Sequence, residues 1–193
     1  MTARLFIYLL GLVLFSMGAN NFIISHLGTD PLDVLLIGLG LWLPLSIGDA
    51  SVLVSAVFLL VYSLWNRTAP PLMSVVTTVA VGYLIDGWQM LGFVSIWPVV
   101  NLLLGVVLCS FASALIIHSN LGIRIMDLLV LTAREKLGWS FTRGKLTIEV
   151  GLFTVGWMLG GPFGLGTVCF LLGVSVLVEP CLKLIQRVRL FQT

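Results

Sequence analysis

Long apolar runs broken by short polar clusters set the pattern of this chain. Leu5–Ile24, Leu72–Leu91, Pro98–Ile117 and Thr167–Leu184 each approach the ~20 residues that a helix needs to cross a bilayer. Ser51–Trp65 and Leu146–Leu159 are shorter and are expected to span with thin margins or slight bilayer thinning. Pro31–Pro44 and Arg124–Leu137 hold only about 14 residues each, a length that suits re-entrant or interfacial helices. The second of these carries Arg124, Asp127, Arg134, Glu135 and Lys136, which argues against a solitary crossing of lipid. The pattern predicts an all-α, polytopic helical membrane protein.

The same pattern occurs twice. Ser25-His26-Leu27-Gly28-Thr29-Asp30-Pro31-Leu32-Asp33-Val34-Leu35 returns 94 positions later as Ser119-Asn120-Leu121-Gly122-Ile123-Arg124-Ile125-Met126-Asp127-Leu128-Leu129. The expected organisation is a single membrane domain over 1–193, with repeat one at about 1–96 and repeat two at about 97–193. Met1–Ala19 has the outline of a secretory signal, with Arg4, an apolar run and a small-residue exit at Gly18-Ala19. Its repeat counterpart lies inside the chain, however, so the first segment is expected to be retained as a span.

Composition agrees with a bilayer setting: 59% of residues are hydrophobic, 9% are charged, and the mean hydropathy is +1.14. A formal charge of +2 gives no reason to expect nucleic acid. The position of the charges is more informative. Six spans, with both short segments returning to the side they left, place all ten Lys and Arg on the cytoplasmic side, whereas eight spans leave Arg67 and Arg124 outside. Between Ser25 and Ser51 the charged residues are Asp30, Asp33 and Asp49. Between Ser119 and Lys145, five basic residues face two acidic ones. This reversal of sign favours inverted copies, each with three spans and one broken or re-entrant helix, over eight spans in parallel repeats. On this reading Asp30 and Arg124, like Asp49 and Arg143, lie on opposite sides of the membrane. The predicted location is a bacterial inner membrane, with both termini cytoplasmic.

Two motifs add a family likeness. Leu27-Gly28-Thr29-Asp30-Pro31-Leu32-Asp33 in the first copy, and Gly160-Gly161-Pro162-Phe163-Gly164-Leu165-Gly166-Thr167 with Gly173 in the second, resemble the YczE/YitT group of small bacterial integral membrane proteins. The likeness covers nearly the whole chain and implies a membrane protein without assigning it an activity. The copies differ at key places: Pro31 corresponds to Ile125, and Met73-Ser74-Val75-Val76 stands where the second copy has its Gly-rich motif.

Several polar residues could carry chemistry. Asp30-Pro31 is a strong helix start, with Asp30 as N-cap and Pro31 at the first helical position, where its missing N–H costs nothing. Asp33 falls in the first turn, where the helix dipole alone would account for it. Asp33 and its counterpart Asp127 would otherwise mark the tips of two broken helices that bind a cation, a proton or a polar solute. Asp127 has Arg124 and Arg134 as neighbouring partners. Glu149 stands in an apolar helix where an unpaired carboxylate would cost ~2.5–3.5 kcal/mol. Lys145 or Arg143 could neutralise it at the membrane edge. Asn20 and Asn21 could line a cavity or bond between helices.

The remaining polar and aromatic residues suit structural roles. Asp86 and Glu179 read as interfacial, Glu179 beside Lys183. Trp65, Trp88, Trp97 and Trp139 form an interfacial belt, while Trp42 and Trp157 are expected to pack between helices. Gly160–Gly166 reads as a tight interhelical turn rather than an anion cradle, since no lysine follows it. Cys109, Cys169 and Cys181 lie in apolar runs without paired spacing and read as packing residues.

Catalysis is not expected. There is no His-Glu-x-x-His motif and no serine elbow, and His26 and His118 are not repeat equivalents. No metal or cofactor is predicted. The sequence therefore points to a transporter or channel-like protein for a small solute, with a site between the repeats near Asn20, Asn21, Asp33, Asp127 and Glu149. The alternative is a membrane accessory or assembly protein that presents the basic Arg134–Lys145 loop to a cytoplasmic partner. Expected partners are membrane lipid and a small solute or coupling ion, with a homo-oligomer left open.

Overall fold

A computed structural model describes residues 2–69, 71–95 and 97–187. These residues form eight helices: α1 (Thr2–Ser25), α2 (Pro31–Trp42), α3 (Ile47–Asn66), α4 (Leu72–Met90), α5 (Pro98–Ser119), α6 (Ile125–Leu137), α7 (Phe141–Met158) and α8 (Leu165–Arg187). A π turn at Phe170–Val174 interrupts α8. Helices α1, α3, α5 and α8 are long and apolar enough to cross a membrane. The run at Leu72–Leu91 forms a 19-residue helix but falls outside that set, because Asp86, Gln89, Ser74, Thr77, Thr78 and Tyr83 dilute it. Helix α7 is likewise diluted, by Arg143, Lys145 and Glu149. Helix α3 is longer than the apolar pattern suggested, since it begins at Ile47 with a capping box between Ser46 and Asp49.

Local chemistry sets the ends of the short helices. Asp30 Oδ1 accepts the Leu32 N–H at 2.7 Å and Pro31 occupies the first turn, as the sequence predicts. Helix α2 stops at Trp42 because Pro44 disfavours helical backbone at the residue before it. Helix α6 stops at Gly138, which takes the left-handed conformation at φ 66°. Helices α2 and α6 start 94 residues apart, as do α3 and α7. Ser25 and Ser119 each bond the carbonyl three residues back and receive the N–H two residues ahead. His26 and Asn120, which follow them, both have φ near 55°.

Helices α1 and α5 form the centre of the molecule and run antiparallel. Gly11 faces Ala112 and Ile116, Gly18 faces Cys109, and Gly105 faces Phe22, so positions rise along one helix as they fall along the other. Small residues allow this approach, which in lipid must be stabilised by packing because burial between helices removes no apolar surface from water. Phe15, Phe22 and Phe170 complete the interior, with Phe22 and Phe170 edge to face at 5.6 Å.

The short helices start in this interior. Helix α2 packs on α7 and α3, and its Leu36 and Ile37 line a cavity with Ile23 of α1. Helix α6 packs on α7 and α3, its Leu131 and Arg134 lining a cavity with Ile117 of α5. Helix α2 lies against α7 through glycine: a Cβ on Gly156 would stand 2.5 Å from the Leu35 nitrogen. The Gly160–Gly166 segment is a tight connection, pinned where the Gly166 N–H donates to the Leu27 carbonyl at 2.6 Å.

Three tryptophans differ from expectation. Trp42 and Trp157 lie on the outside, 72% and 57% exposed, because each falls on the helix face turned away from the core. The Trp42 indole donates to the Leu159 carbonyl. Trp88 points inward, and its indole N–H donates to Ser16 Oγ at 3.0 Å, satisfying a buried hydroxyl on α1.

Candidate functional site

Where the turns before α2 and α6 meet, the interior holds six ionisable groups. Arg124 Nη1 donates to Asp30 Oδ2 at 2.6 Å, and Arg124 Nε lies 3.5 Å from Asp127 Oδ2. Lys145 Nζ stands 3.7 Å from Asp127 Oδ1 and 3.0 Å from Glu149 Oε1. Asp33 completes the group through a small void that it shares with Arg124. Asp30, Asp33, Arg124, Lys145 and Glu149 are buried, Glu149 completely. The guanidinium of Arg124 lies over the Phe15 ring, 4.6 Å from its centroid, and 5.9 Å from that of Phe170.

The meeting of Asp30 with Arg124 corrects their expected placement on opposite sides. Both turns dip into the interior, and the two buried side chains meet there. Glu149 is fully buried between helices. Lys145, one helical turn earlier, is its ion-pair partner, while Arg143 lies over the Trp139 ring at 5.1 Å. Asp127 pairs with Arg124 as expected, but its second partner is Lys145 and not Arg134.

Asp33, Asp127 and Glu149 are thus brought together. The two asparagines are not brought to a cavity wall. Asn20 is buried with its Oδ1 lacking a hydrogen-bond partner, while Asn21 turns its amide to the Met17 carbonyl of its own helix. Asp86 holds the start of α3, accepting the N–H groups of Ile47 and Gly48. Glu179 pairs with Lys183 at 2.7 Å on the outside. The three cysteines are free. No group of three or more His, Cys, Asp or Glu suited to a metal occurs among the described residues.

Two cavities flank the buried charges. One, of about 480 Å³, is lined by Arg124, Asp127, Arg134, Lys145, Ser175 and Glu179. The other, of about 560 Å³, is lined by Leu36, Ile37, Gly40, Leu41 and Asp86 among others. Leu36 and Arg124 also line the small void at Asp33, so a continuous line of groups connects the cavities. The larger cavity is lined by none of the six charged groups and touches the void at Asp33 only through Leu36, which lines both. The smaller one reaches them directly.

Two cations face four carboxylates in this interior, so full ionisation would leave two uncompensated negative charges. Oε2 of Glu149 and Oδ2 of Asp33 lack a hydrogen-bond donor among the described residues, and Oε1 of Glu149 has the Lys145 ammonium as its ion-pair partner. Such groups are costly in a low-dielectric interior unless they take up a proton, a cation or a solute.

The family model for DUF6198, described as a family of unknown function, matches residues 2–183. The chain belongs to the DUF6198 family. Its YczE-type character is supported by a Bacillus subtilis protein described as the uncharacterized membrane protein YczE, which is 27% identical over 83% of this chain and 77% of its own length. A second Bacillus subtilis protein, the uncharacterized YyaS, is 29% identical over 93% of this chain and 92% of its own. A Haemophilus influenzae protein described as uncharacterized is 26% identical over 94% and 84%. No solved structure matches this DUF6198 chain. It is a membrane protein of that family, with apolar helices able to span a bilayer.

Three members of this cluster in the DUF6198 chain are not among the site residues that the sequence pattern singles out: Arg124 and Lys145 read there as neutralising partners, and Asp30 as a helix cap and part of the charge reversal.

Proposed function

We propose that this protein is a transporter for a small solute, built from two inverted halves, with its site at the buried charges between them. One observation carries the reading: a buried acid–base cluster with more acids than bases lies beside two cavities, one lined by Arg124, Asp127 and Lys145 and one that none of the six charged groups lines. A packing role alone gives no reason to bury more acids than bases.

The inverted arrangement has support in the antiparallel packing of α1 against α5, which occupy matching places in the two copies. In such a pair the short helices are re-entrant, each beginning near the midplane and leaving by the side from which its turn came. α4 and α7 then serve as the fifth and sixth spans. The start of α1 and the last turns of α8 lie at one end, where Ile7 and Ile185 share a cluster. Lys136 bonds the Trp65 carbonyl at the same end. With the basic residues gathered there, that end is cytoplasmic in a bacterial inner membrane. The smaller cavity is then the inward-open one. The chain carries no enzyme chemistry, and its partners are lipid and the transported solute.

Growth and uptake screening of a deletion strain tests this reading. Loss of uptake of one solute class, restored by the wild-type chain but not by Glu149→Gln at equal membrane level, is the expected result. Full restoration by both Glu149→Gln and Lys145→Met would overturn it.

A further inference from the structure

We infer that Asp33 carries an exchangeable proton, and that this proton is the ion bound by the site proposed above. Asp33 is 5% exposed and its Oδ2 has no hydrogen-bond donor. It lines a void of about 10 Å³, at the lower limit for one water molecule. Thr29 Oγ1, on the turn just before α2, is also buried without a partner.

The charges around this void favour a proton over a metal cation. Arg124 lines it, and its guanidinium is already shared between Asp30 and Asp127. The closest ion pair of Arg124 is with Asp30, at 2.6 Å, which leaves Asp33 with no ion-pair partner of its own among the described residues. From α4 come Thr78, Val81 and Gly82, and from α1 comes Phe15, none of them charged. Helix α7, packed on α2, carries Lys145 and Glu149, and these two are paired with each other. A bare cation in this void would have few oxygen ligands and would lie beside the positive guanidinium, with which it would repel strongly at low dielectric. Protonation neutralises Asp33 in place: the carboxylate oxygen gains one proton, no other bond changes, and the reverse step returns the proton to water. The exchange route follows Arg124, which lines both this void and the inward-open cavity.

Asp33 and Asp127 occupy equivalent positions but differ in role. Asp127 has two cationic neighbours and stays ionised as their bridge. Asp33 has none to itself and serves as the proton carrier.

This inference rests on the transport reading for its purpose, but its test reads protonation and not transport, so the two fail separately. Infrared spectra are recorded on the full chain in liposomes at neutral pH, with and without carbon-13 at the aspartate carboxyl. The expected result is a protonated-carboxyl C=O band that moves with the aspartate label, is lost entirely in Asp33→Asn, and remains in Asp127→Asn and Glu149→Gln. If Asp33→Asn fails to fold, Asp33→Glu replaces it and moves the band out of the labelled set. Absence of a label-sensitive band in the wild type overturns the proposal, as does its survival in Asp33→Asn. A band that disappears on adding sodium at constant pH assigns the site to a metal cation and also overturns it.

Discussion

At the scale of single residues, the pair of Asp30 and Arg124 concentrates two roles in one place. Asp30 uses one oxygen to cap α2 and the other to hold Arg124, so the start of a helix and the centre of a charge network depend on the same carboxylate. Removing one member of a buried pair leaves the other charge uncompensated, at a cost of about 3–5 kcal/mol. Arg124→Met is therefore expected to lower the thermal midpoint of the detergent-solubilised protein sharply. Adding Asp30→Asn should recover more than half of that loss, because asparagine still caps the helix and no longer strands a charge. A double variant no more stable than Arg124→Met alone would mean that the pair is not the source of the effect. Lys145→Met should behave in the same way, relieved by Glu149→Gln, since Lys145 is the ion-pair partner of that fully buried acid.

At the scale of helices, close backbone approach replaces the hydrophobic burial that holds soluble bundles together. Gly156 on α7 lies so near α2 that an added methyl would press on the Leu35 main chain, which cannot rotate away. Gly151→Ala on the same helix meets nothing within 4 Å. Gly156→Ala is expected to cost about 1–3 kcal/mol in thermal unfolding, and Gly151→Ala to leave stability unchanged within error. Equal effects at the two sites would reject the proposed contact. Much of this level was legible beforehand. Asp30-Pro31 and the short apolar lengths predicted the two small helices because capping and helix length are local properties. The π turn at Phe170–Val174 was not legible, since its apolar residues suit an ordinary helix equally well and only the surrounding packing selects the wider turn. Trp88 was misread for a related reason: proximity to a helix end suggests an interface, while the direction of its indole depends on the Ser16 hydroxyl of another helix.

At the scale of the whole molecule, the recurring sequence pattern and its reversal of charge pair up positions along the chain, but not the residues that touch. Asp30 and Arg124 were assigned to opposite faces because charge counting locates loops relative to the bilayer. It cannot see a loop that turns back into the interior. Their contact follows from the crossing of α1 with α5, a long-range property carried by glycines spread over both helices. The same crossing places Ile37 and Leu131, equivalent positions on α2 and α6, in the two different cavities. If the halves are inverted, these cavities open to opposite sides of the membrane. Single cysteines at Ile37 and Leu131, in a chain whose three native cysteines are replaced by serine, should then react with an impermeant thiol reagent from opposite faces of sealed vesicles. Cysteines at Asp49 and Arg143 should divide in the same way. Eight spans in parallel copies would instead place the Asp49 and Arg143 labels on one side, and that outcome would reject inversion. Ile37 and Leu131 each line their own cavity, so both cysteines are expected to react. Addition of a transported solute should change labelling at the two sites in opposite directions, as alternation closes one cavity and opens the other. Parallel changes at both sites would point to a channel-like opening rather than alternation between the two cavities.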